Sequence, residues 1–414
     1  MKTRTAAAAG VAGVVGLGIG IGFLTADRNP SSPTAPATYY VSVTGSDTAA
    51  CTVAAPCKTI DKGYRKATAC SDKVEVLPGV YPKQTVAQDT TKNGWANGCH
   101  VIIYGGEYYG LGADPILKGL TVNGDHMELI HLDGEDVNCV TTQIEPAGCV
   151  ALVLSGAVDV QFAYSTGFAR FFIYGGDQQS IGAADFGPSY DNHGIIGFGA
   201  PVSNLTITNV TIHDQVHSTA CVNTPGCWGL HHMTCLNVNA GTGITIMISR
   251  IERCDDTLLF KATNTGLNGV TVENSYVNAG GFGSIKLNPN GNTFANIDIR
   301  WTTLGGPLLL DPGSTLGTGS EFKYNLGPSP SCTALANGGF ATGYNVSTGT
   351  ACGTNSLSNV ASLGLAADGY HLLATSPAKD LVPSSEPHPP NDIDFTWVRP
   401  TGPALDAGAD EYVP

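Results

Sequence analysis

The chain has 414 residues and a mass of 42.7 kDa, and 13% of its residues are charged, about half of the usual share of roughly 25%. Its 53 glycines and 42% hydrophobic residues exclude intrinsic disorder, a helical bundle and a coiled coil, and favour many short strands joined by glycine-rich turns. The net charge of −14 provides no basic footprint for nucleic acid, and it disfavours a polyanionic partner unless a cation or a local basic patch intervenes.

The N-terminus predicts export. Lys2 and Arg4 precede an uncharged, weakly hydrophobic run over residues 6–24, so we expect a signal peptide over residues 1–26. A membrane anchor is the alternative, because about 20 apolar residues span a bilayer. Residues 27–38 are rich in Pro, Ser and Thr and are typical of a linker.

Short alternating runs of β-branched residues recur along the chain, and their first residues are 27, 26, 31, 47, 39, 26 and 27 positions apart. Three short strands and three turns need about 25 residues, so this period predicts one coil of a parallel β-solenoid. The interval of 47 predicts a further coil and an insertion around residues 177–200. The runs begin at Val74, Val101, Met127, Val158, Leu205, Ile244, Val270 and Ile297.

The alternation also predicts which side chains point outward. In the run 244–246 both Ile side chains should enter the core, while Thr245 stacks over Thr206 and Thr271 of the neighbouring coils. We therefore expect an all-β, right-handed parallel β-helix over residues 39–325. An amphipathic helix over residues 59–70 should cap its first coil, and residues 326–414 should form a C-terminal capping segment.

The twelve cysteines are even in number and form no CxxC pair, which indicates an oxidising compartment. Pairing of neighbours along the chain is the simplest arrangement, although sequence does not fix connectivity. The alternative is a set of buried free thiols in the core. The pairs would be Cys51–Cys57, Cys70–Cys99, Cys139–Cys149, Cys221–Cys227, Cys235–Cys254 and Cys332–Cys352.

Both ends of the solenoid resemble a known group. YYVSVTGSD (39–47), PCKTIDKGYRKA (56–67) and VEVLPGVY (74–81) are similar to the opening of secreted right-handed parallel β-helix proteins of the pectin-lyase-like superfamily. YHLLATSPAKD (370–380), DID (392–394), RP (399–400) and DAGADEY (406–412) resemble the closing segment of the same bacterial proteins. The resemblance implies the fold; activity varies within the superfamily, which holds lyases, hydrolases, epimerases and non-catalytic surface proteins.

Two adjacent carboxylates are candidate catalytic groups. Asp255 and Asp256 resemble the paired aspartates of polygalacturonase-like glycoside hydrolases, in which carboxylates do acid and base work. On the next coil, Phe282 and Ser284 stand where that family has a His and an Arg, and the upstream coil 231–238 lacks its third aspartate. The alternative is a solvated turn in which Asp caps backbone amides.

Two lysines are the other catalytic candidates. Lys261 and Lys286 are 25 residues apart, and Asn237 and Asp311 lie 24 residues before and 25 residues after them, which predicts one outward column. Stacked ammonium groups repel each other, and this favours a neutral amine that can act as a general base in β-elimination of a uronate. The alternative is a staggered pair of surface lysines bonded to Asp or Asn neighbours.

Histidines gather around a cysteine-bounded loop. The spacing of these histidines matches no zinc-binding pattern; they are His213, His217, His231 and His232. The alternative to a functional cluster is that they are polar residues of an extended loop. His213 and Asp214 should lie near the turn of Asp255 and Asp256, and the hard oxygen ligands of the three aspartates make Ca²⁺ a candidate cofactor for an anionic substrate.

We also expect sugar contacts from His213, Arg300 and the loop residue Trp228. Core or cap packing is the alternative for Trp228 and the other aromatic candidates, which are Trp95, Tyr104, Tyr108, Tyr109 and Trp301.

Two functions of different class remain open from sequence. The first is a secreted carbohydrate-active enzyme that cleaves an acidic polysaccharide, by elimination ahead of hydrolysis. The second is a non-catalytic surface or carbohydrate-binding solenoid. Either one predicts a polysaccharide or cell-surface glycan as partner, no nucleic acid, and a monomer. Any chemistry should lie on the outer face of the coils over residues 205–311, because turns of a solenoid tolerate the insertions that wall a groove.

Overall fold

The chain divides into two units, residues 1–35 and residues 36–414. The structure, a computed structural model, describes residues 36–412 except 111, 136–150, 188–193, 215–233, 264–265, 312–314, 329, 331, 395–398 and 400–403. Within this described part, no helix is long and apolar enough to span a membrane.

Parallel strands follow one another in successive coils with three faces, here called A, B and C. Along the chain a strand of face A is followed by one of face B and then one of face C, after which the next coil begins. Such parallel crossovers are right-handed. The strands of face A are Thr38–Val41, Lys73–Val76, Val101–Gly105, Met127–Ile130, Val160–Ala163, Ser180–Gly182, Val202–Thr208, Gly241–Met247, Leu267–Glu273, Thr293–Arg300, Glu321–Lys323 and Ala341–Gly343.

Two long strands, Arg250–Lys261 and Tyr276–Asn288, begin in face B and continue into face C. The other strands of face B are very short: Val80–Tyr81, Ile116–Leu117, Asp133–Gly134, Asp185–Phe186, Thr211–His213, Thr303–Leu304, Leu326–Gly327 and Val346–Ser347. The other strands of face C are Gln84–Val86, Leu120–Val122, Ala151–Ser155, Arg170–Tyr174, Gly194–Ile196, Thr234–Val238 and Leu308–Leu310.

The remaining elements are small. Gly176–Asp177 and Thr315–Leu316 add to face A, and Val382–Pro383 pairs antiparallel with Ala404–Leu405. Thr90–Lys92 and Gly106–Tyr109 are 3-10 turns, and Cys332–Asn337 is a short α-helix.

One α-helix, Ile60–Lys66, lies at the N-terminal coils and is shorter than the predicted 59–70. Thr59 caps it by accepting a hydrogen bond from the Lys62 amide at 3.2 Å, and the backbone becomes extended at Ala67, which ends the helix. The helix buries Ile60 and Tyr64 in the solenoid core.

Residues at equivalent positions of successive coils stack to form the core, as the alternation of β-branched and polar residues predicted. On face A, Leu205, Ile244, Val270 and Ile297 are partners in successive strands, and all are fully buried. The outward neighbours Thr206, Thr245 and Thr271 are also partners, so the predicted threonine column is confirmed. The predicted further coil is present as well, because the strand Ser180–Gly182 lies between Val160–Ala163 and Val202–Thr208.

From the strand Met127–Ile130 onward, one residue of each coil has a left-handed backbone at the turn from face A to face B. These residues have φ between 47° and 61°, and they are in register because the strands before them are paired. We call this row the turn ladder. Its members are His131, Tyr164, Ala183, Asn209, Ile248, Asn274, Trp301, Tyr324 and Tyr344.

The last part of the chain lies along the side of the solenoid. The Arg399 side chain is fully buried, donates to Asn274 Oδ1 at 3.0 Å and pairs with Glu411. The Trp301 indole donates to the Pro387 carbonyl at 3.1 Å. The contacts of Arg399 with Asn274 and of Trp301 with Pro387, which join residues 125 and 86 positions apart, hold the C-terminal segment over the turn ladder.

Four of the six predicted cysteine pairs are present, with Cα atoms 4.6, 5.1, 5.6 and 5.2 Å apart. They are Cys51–Cys57, Cys70–Cys99, Cys235–Cys254 and Cys332–Cys352. These bonds fit an oxidising, extracellular setting. The pairs Cys139–Cys149 and Cys221–Cys227 lie outside the described residues.

Candidate functional site

Face C holds the predicted lysines. Along the chain, residues 135–150, 187–193 and 214–233 each connect a strand of face B to the next strand of face C. Lys261 and Lys286 both lie on face C, in neighbouring coils. The outer surface of this face between residues 170 and 311 is therefore the candidate site.

The predicted column of Asn237, Lys261, Lys286 and Asp311 is wrong in its register. Lys286 lies opposite Leu259, and Lys261 lies opposite Asn288. The cause is a pair of register irregularities between Ile251 and Asp256, which change the coil offset from 26 to 27 residues. Because the slip from the predicted offset is two residues, both lysines still point outward, about 8 Å apart at Cα instead of stacked.

Lys261 lies opposite Asn288 of the next coil. Among the described residues its ammonium has no carboxylate partner within 4 Å, whereas Lys286 Nζ lies 3.8 Å from Asp311 Oδ1. Asn237 Oδ1 and Asn239 Nδ2, on the preceding coil, are buried and have no hydrogen-bond partner within the described part of the chain. Buried amide atoms without partners are costly, so they mark a place where water or a ligand completes the hydrogen bonding.

An aromatic pair that the sequence did not single out lies further up face C. Phe172 and Tyr174 alternate outward, with ring centroids 5.7 Å apart and planes 11° from parallel. The Arg170 guanidinium lies 5.3 Å from the Phe172 ring. The signal was present as alternation in the run 170–174, and the pair forms a platform of the kind that stacks on sugar rings.

A second polar cluster lies at the edge between faces B and C. His213 Nδ1 is 2.7 Å from Asp214 Oδ2, and its Nε2 is 3.2 Å from Asp185 Oδ1. The contact with Asp185, supported by the one with Asp214, raises the pKa of His213. His213 and Asp214 were predicted in the same site and do contact each other, whereas Asp185, one coil earlier, was identified only from the fold.

Asp214 is held by cations of the protein. Arg253, its neighbour on the next coil, donates from Nε at 2.5 Å and from Nη2 at 3.0 Å. This pair, with help from His213, lowers the pKa of Asp214 to about 2. Both carboxylate oxygens of Asp214 are therefore already hydrogen-bonded. Asp214 positions Arg253 and His213, and it has no free oxygen to offer Ca²⁺ without giving up one of these contacts.

The other predicted site residues are dispersed. Asp255 and Asp256 lie in the strand Arg250–Lys261, where the Asp256 backbone pairs with Thr234 and Gly283, and their side chains are outside the described part. Trp228, His217, His231 and His232 also lie outside it. Arg300 belongs to face A and pairs with Glu273 at 2.8 Å, so it is not beside the lysines. Trp301 is fully buried and is unavailable to a sugar.

A histidine in the C-terminal segment has a ligand-like surrounding. His371, Asp394 and Asp410 place three possible ligand atoms within 4.8 Å of one another. Burial alone would lower the pKa of His371, but hydrogen bonds to Asp368 and Asp394, both 2.5 Å long, outweigh it and raise the pKa to about 9. An imidazolium between carboxylates explains this geometry without a metal ion.

This histidine predicts a loss of stability at alkaline pH. The pKa of His371 is raised on folding from 6.5 to about 9. The stabilisation of the folded state by the protonated imidazole is therefore fully present below pH 6.5 and is lost as the pH rises through about 9. We expect the melting temperature to fall from about pH 7 to about pH 10, and His371→Gln to flatten this part of the profile. Equal slopes for the two proteins would contradict the assignment.

No protein-family model matches the chain, and no curated protein matches it. Solved structures are similar at low identity. A rhamnogalacturonan lyase has 14% identity over 70% of this chain and 82% of its own, with a TM-score of 0.44. A pectate lyase has 12% identity over 91% and 97%, with a TM-score of 0.46. A lacto-N-biosidase from Eubacterium ramulus has 12% identity over 75% and 63%, with a TM-score of 0.33. By its own stacked parallel sheets, the chain is a right-handed parallel β-helix protein, as its resemblance to the pectin-lyase-like superfamily implied.

Proposed function

We propose that this protein is an exported carbohydrate-active β-helix protein that cleaves an acidic polysaccharide by β-elimination on face C. The observation that carries the proposal is the position of Lys261. It is an outward lysine without a carboxylate partner among the described residues, and the preceding coil carries amide atoms of Asn237 and Asn239 that lack hydrogen-bond partners in the described part of the chain. The sequence resemblance to the pectin-lyase-like superfamily supports the same class of substrate.

Two cationic side chains on face C can attract an acidic substrate although the whole chain is acidic. Lys261 and Lys286 project from face C in neighbouring coils, and Lys286 Nζ lies 3.8 Å from Asp311 Oδ1. Nearby charges matter most for such a substrate, because solvent and salt screen charges beyond about 10 Å.

The residues have complementary parts in the reaction. Lys261 acts as the general base and takes the proton from the carbon beside the uronate carboxylate, and the electron pair left on that carbon forms the new double bond. The bond to the leaving glycosidic oxygen breaks, and this oxygen takes a proton from water. Lys286 and the amide of Asn237 stabilise the negative charge that develops on the carboxylate.

A panel of acidic and neutral polysaccharides tests the reaction class. Elimination leaves a conjugated double bond, which we expect to detect by ultraviolet absorbance, whereas hydrolysis releases reducing ends without that absorbance. Reducing ends alone would overturn the elimination and favour hydrolysis by carboxylates such as Asp255 and Asp256.

Non-catalytic carbohydrate binding is the second candidate function. It is favoured by the stacked pair of Phe172 and Tyr174 with Arg170 beside it, a surface that binds sugar rings without any reactive group. Binding of a polysaccharide with silence in both product assays would select this candidate. The variant Phe172→Ala should then weaken binding. The matched control is Phe198→Ala, because Phe198 is 62% exposed and lies in the turn after face C.

A further inference from the structure

The turn ladder has an aromatic stretch at each end of the solenoid. Near the C-terminus, Trp301 and Tyr324 stack with centroids 4.5 Å apart, and Tyr324 and Tyr344 with centroids 5.8 Å apart. The C-terminal segment covers this stretch, so Trp301 is fully buried and Tyr324 is 3% exposed. Near the N-terminus, His131 and Tyr164 stack with centroids 5.6 Å apart and planes 11° from parallel.

The N-terminal stretch is interrupted directly after Tyr164. The next residue of the ladder is Ala183, because the strand that ends at Ala163 pairs with the strand that ends at Gly182. Alanine has no ring to stack on the face of Tyr164 turned away from His131, and Tyr164 is 45% exposed. The ladder therefore has one vacant ring position, above Ala183.

The size of the vacancy fits one ring. Tyr164 and Asn209 are separated by two coils, which is about 9–10 Å at roughly 4.8 Å per coil. A ring placed midway lies at about 4.8 Å from each neighbour, close to the contact distance of stacked rings, whereas two rings do not fit.

A carboxylate borders the same position. Asp185 follows Ala183 by two residues, and its amide donates to the carbonyl of Ser165, the residue after Tyr164, at 3.1 Å. The Asp185 side chain is 47% exposed, and its Oδ1 is 3.2 Å from His213 Nε2. This carboxylate accepts hydrogen bonds from hydroxyls and repels an anionic ring.

We propose that one ring of a neutral oligosaccharide binds in the vacant position, stacked on the open face of Tyr164 and hydrogen-bonded to Asp185. The aromatic face contacts the C–H face of the sugar, and the carboxylate accepts hydrogen bonds from its hydroxyl groups. This site lies at the edge between faces A and B, and it is independent of the proposed reaction on face C.

Calorimetric titration of the full-length protein with neutral oligosaccharides of glucose, xylose, mannose and galactose tests the proposal. We expect Ala183→Tyr, which supplies the missing ring, to abolish binding while keeping the fold, and Tyr164→Ala to weaken binding about tenfold. Tyr344→Ala removes a ring of the covered stretch and should leave binding unchanged. Phe198→Ala removes an exposed ring in the turn after face C and should also leave binding unchanged, which shows that the loss is specific to Tyr164.

Two results would overturn the proposal: no binding of any neutral oligosaccharide by the unsubstituted protein, or full binding by a folded Ala183→Tyr protein. Circular dichroism of each variant shows whether the fold is kept. If Tyr164→Ala does not fold, Ala183→Tyr decides alone, because it adds a side chain to a position that already has room for one.

Discussion

Replacement of Arg399 by methionine is expected to destabilise the C-terminal segment by about 3–5 kcal/mol, the usual cost of removing one partner of a buried ion pair. The Arg399 side chain is 0% exposed and pairs with Glu411, whose side chain is 5% exposed. It also donates to the carbonyls of Gly408 and Ala409 at 3.1 and 3.3 Å, and lies 4.6 Å from the Trp301 ring. Methionine fills much of the volume but satisfies none of these acceptors.

Hydrogen exchange and limited proteolysis across residues 370–412 measure this effect locally, because a solenoid can lose a terminal part without unfolding as a whole. Arg65→Met is the matched control, since Arg65 is 41% exposed in an i,i+4 pair with Asp61 and should cost less than about 1 kcal/mol. The double variant Arg399→Met/Glu411→Leu should recover part of the loss, because no unpaired charge is left. Unchanged protection in Arg399→Met would show that this anchor is unimportant.

Lys261→Met is expected to lower kcat by at least about 100-fold on a polysaccharide that the unsubstituted protein cleaves, because a positioned general base contributes about 10²–10⁴. The melting temperature should change little, since Lys261 has no carboxylate partner within 4 Å among the described residues and is not buried. Initial rates from product absorbance, with a melting curve for each protein, measure the two effects separately.

Lys323→Met is the control for this substitution. Lys323 lies on face A and pairs with Glu321 at 2.8 Å, so the change removes the same charge far from face C. Equal activity of Lys261→Met and the unsubstituted protein would reject the catalytic assignment. Loss of the fold in Lys261→Met would instead make the lysine structural and favour the staggered, bonded pair.

The site was predictable only in part, for reasons that particular residues show. Sequence spacing found the lysines and their outward direction, because the alternation of a strand fixes the face. It missed their register, because irregularities near Cys254 lengthen one coil by a residue, and spacing in sequence does not reveal where a strand bulges. Arg300 was predicted in the same site as the lysines, but it lies on face A, whereas the lysines lie on face C.

The sequence by itself determined the coils. Stacked β-branched residues such as Ile244, Val270 and Ile297 bury their side chains only when neighbouring coils are parallel and in register. The spacing of these residues in the sequence therefore predicts the fold. Cysteine pairs such as Cys51–Cys57 were also predictable, because each described pair joins cysteines that are consecutive in the sequence.

Only the tertiary structure decided which residues meet across long separations. Arg399 reaches Asn274 over 125 positions, and Asp185 reaches His213 from another coil. Tyr164 is exposed while Trp301 is buried, although both occupy the same ladder, because the C-terminal segment lies over one end of it and leaves the other uncovered. No local pattern encodes such contacts, since they depend on the summed lengths of all the coils between them and on how a terminal segment packs against the finished solenoid.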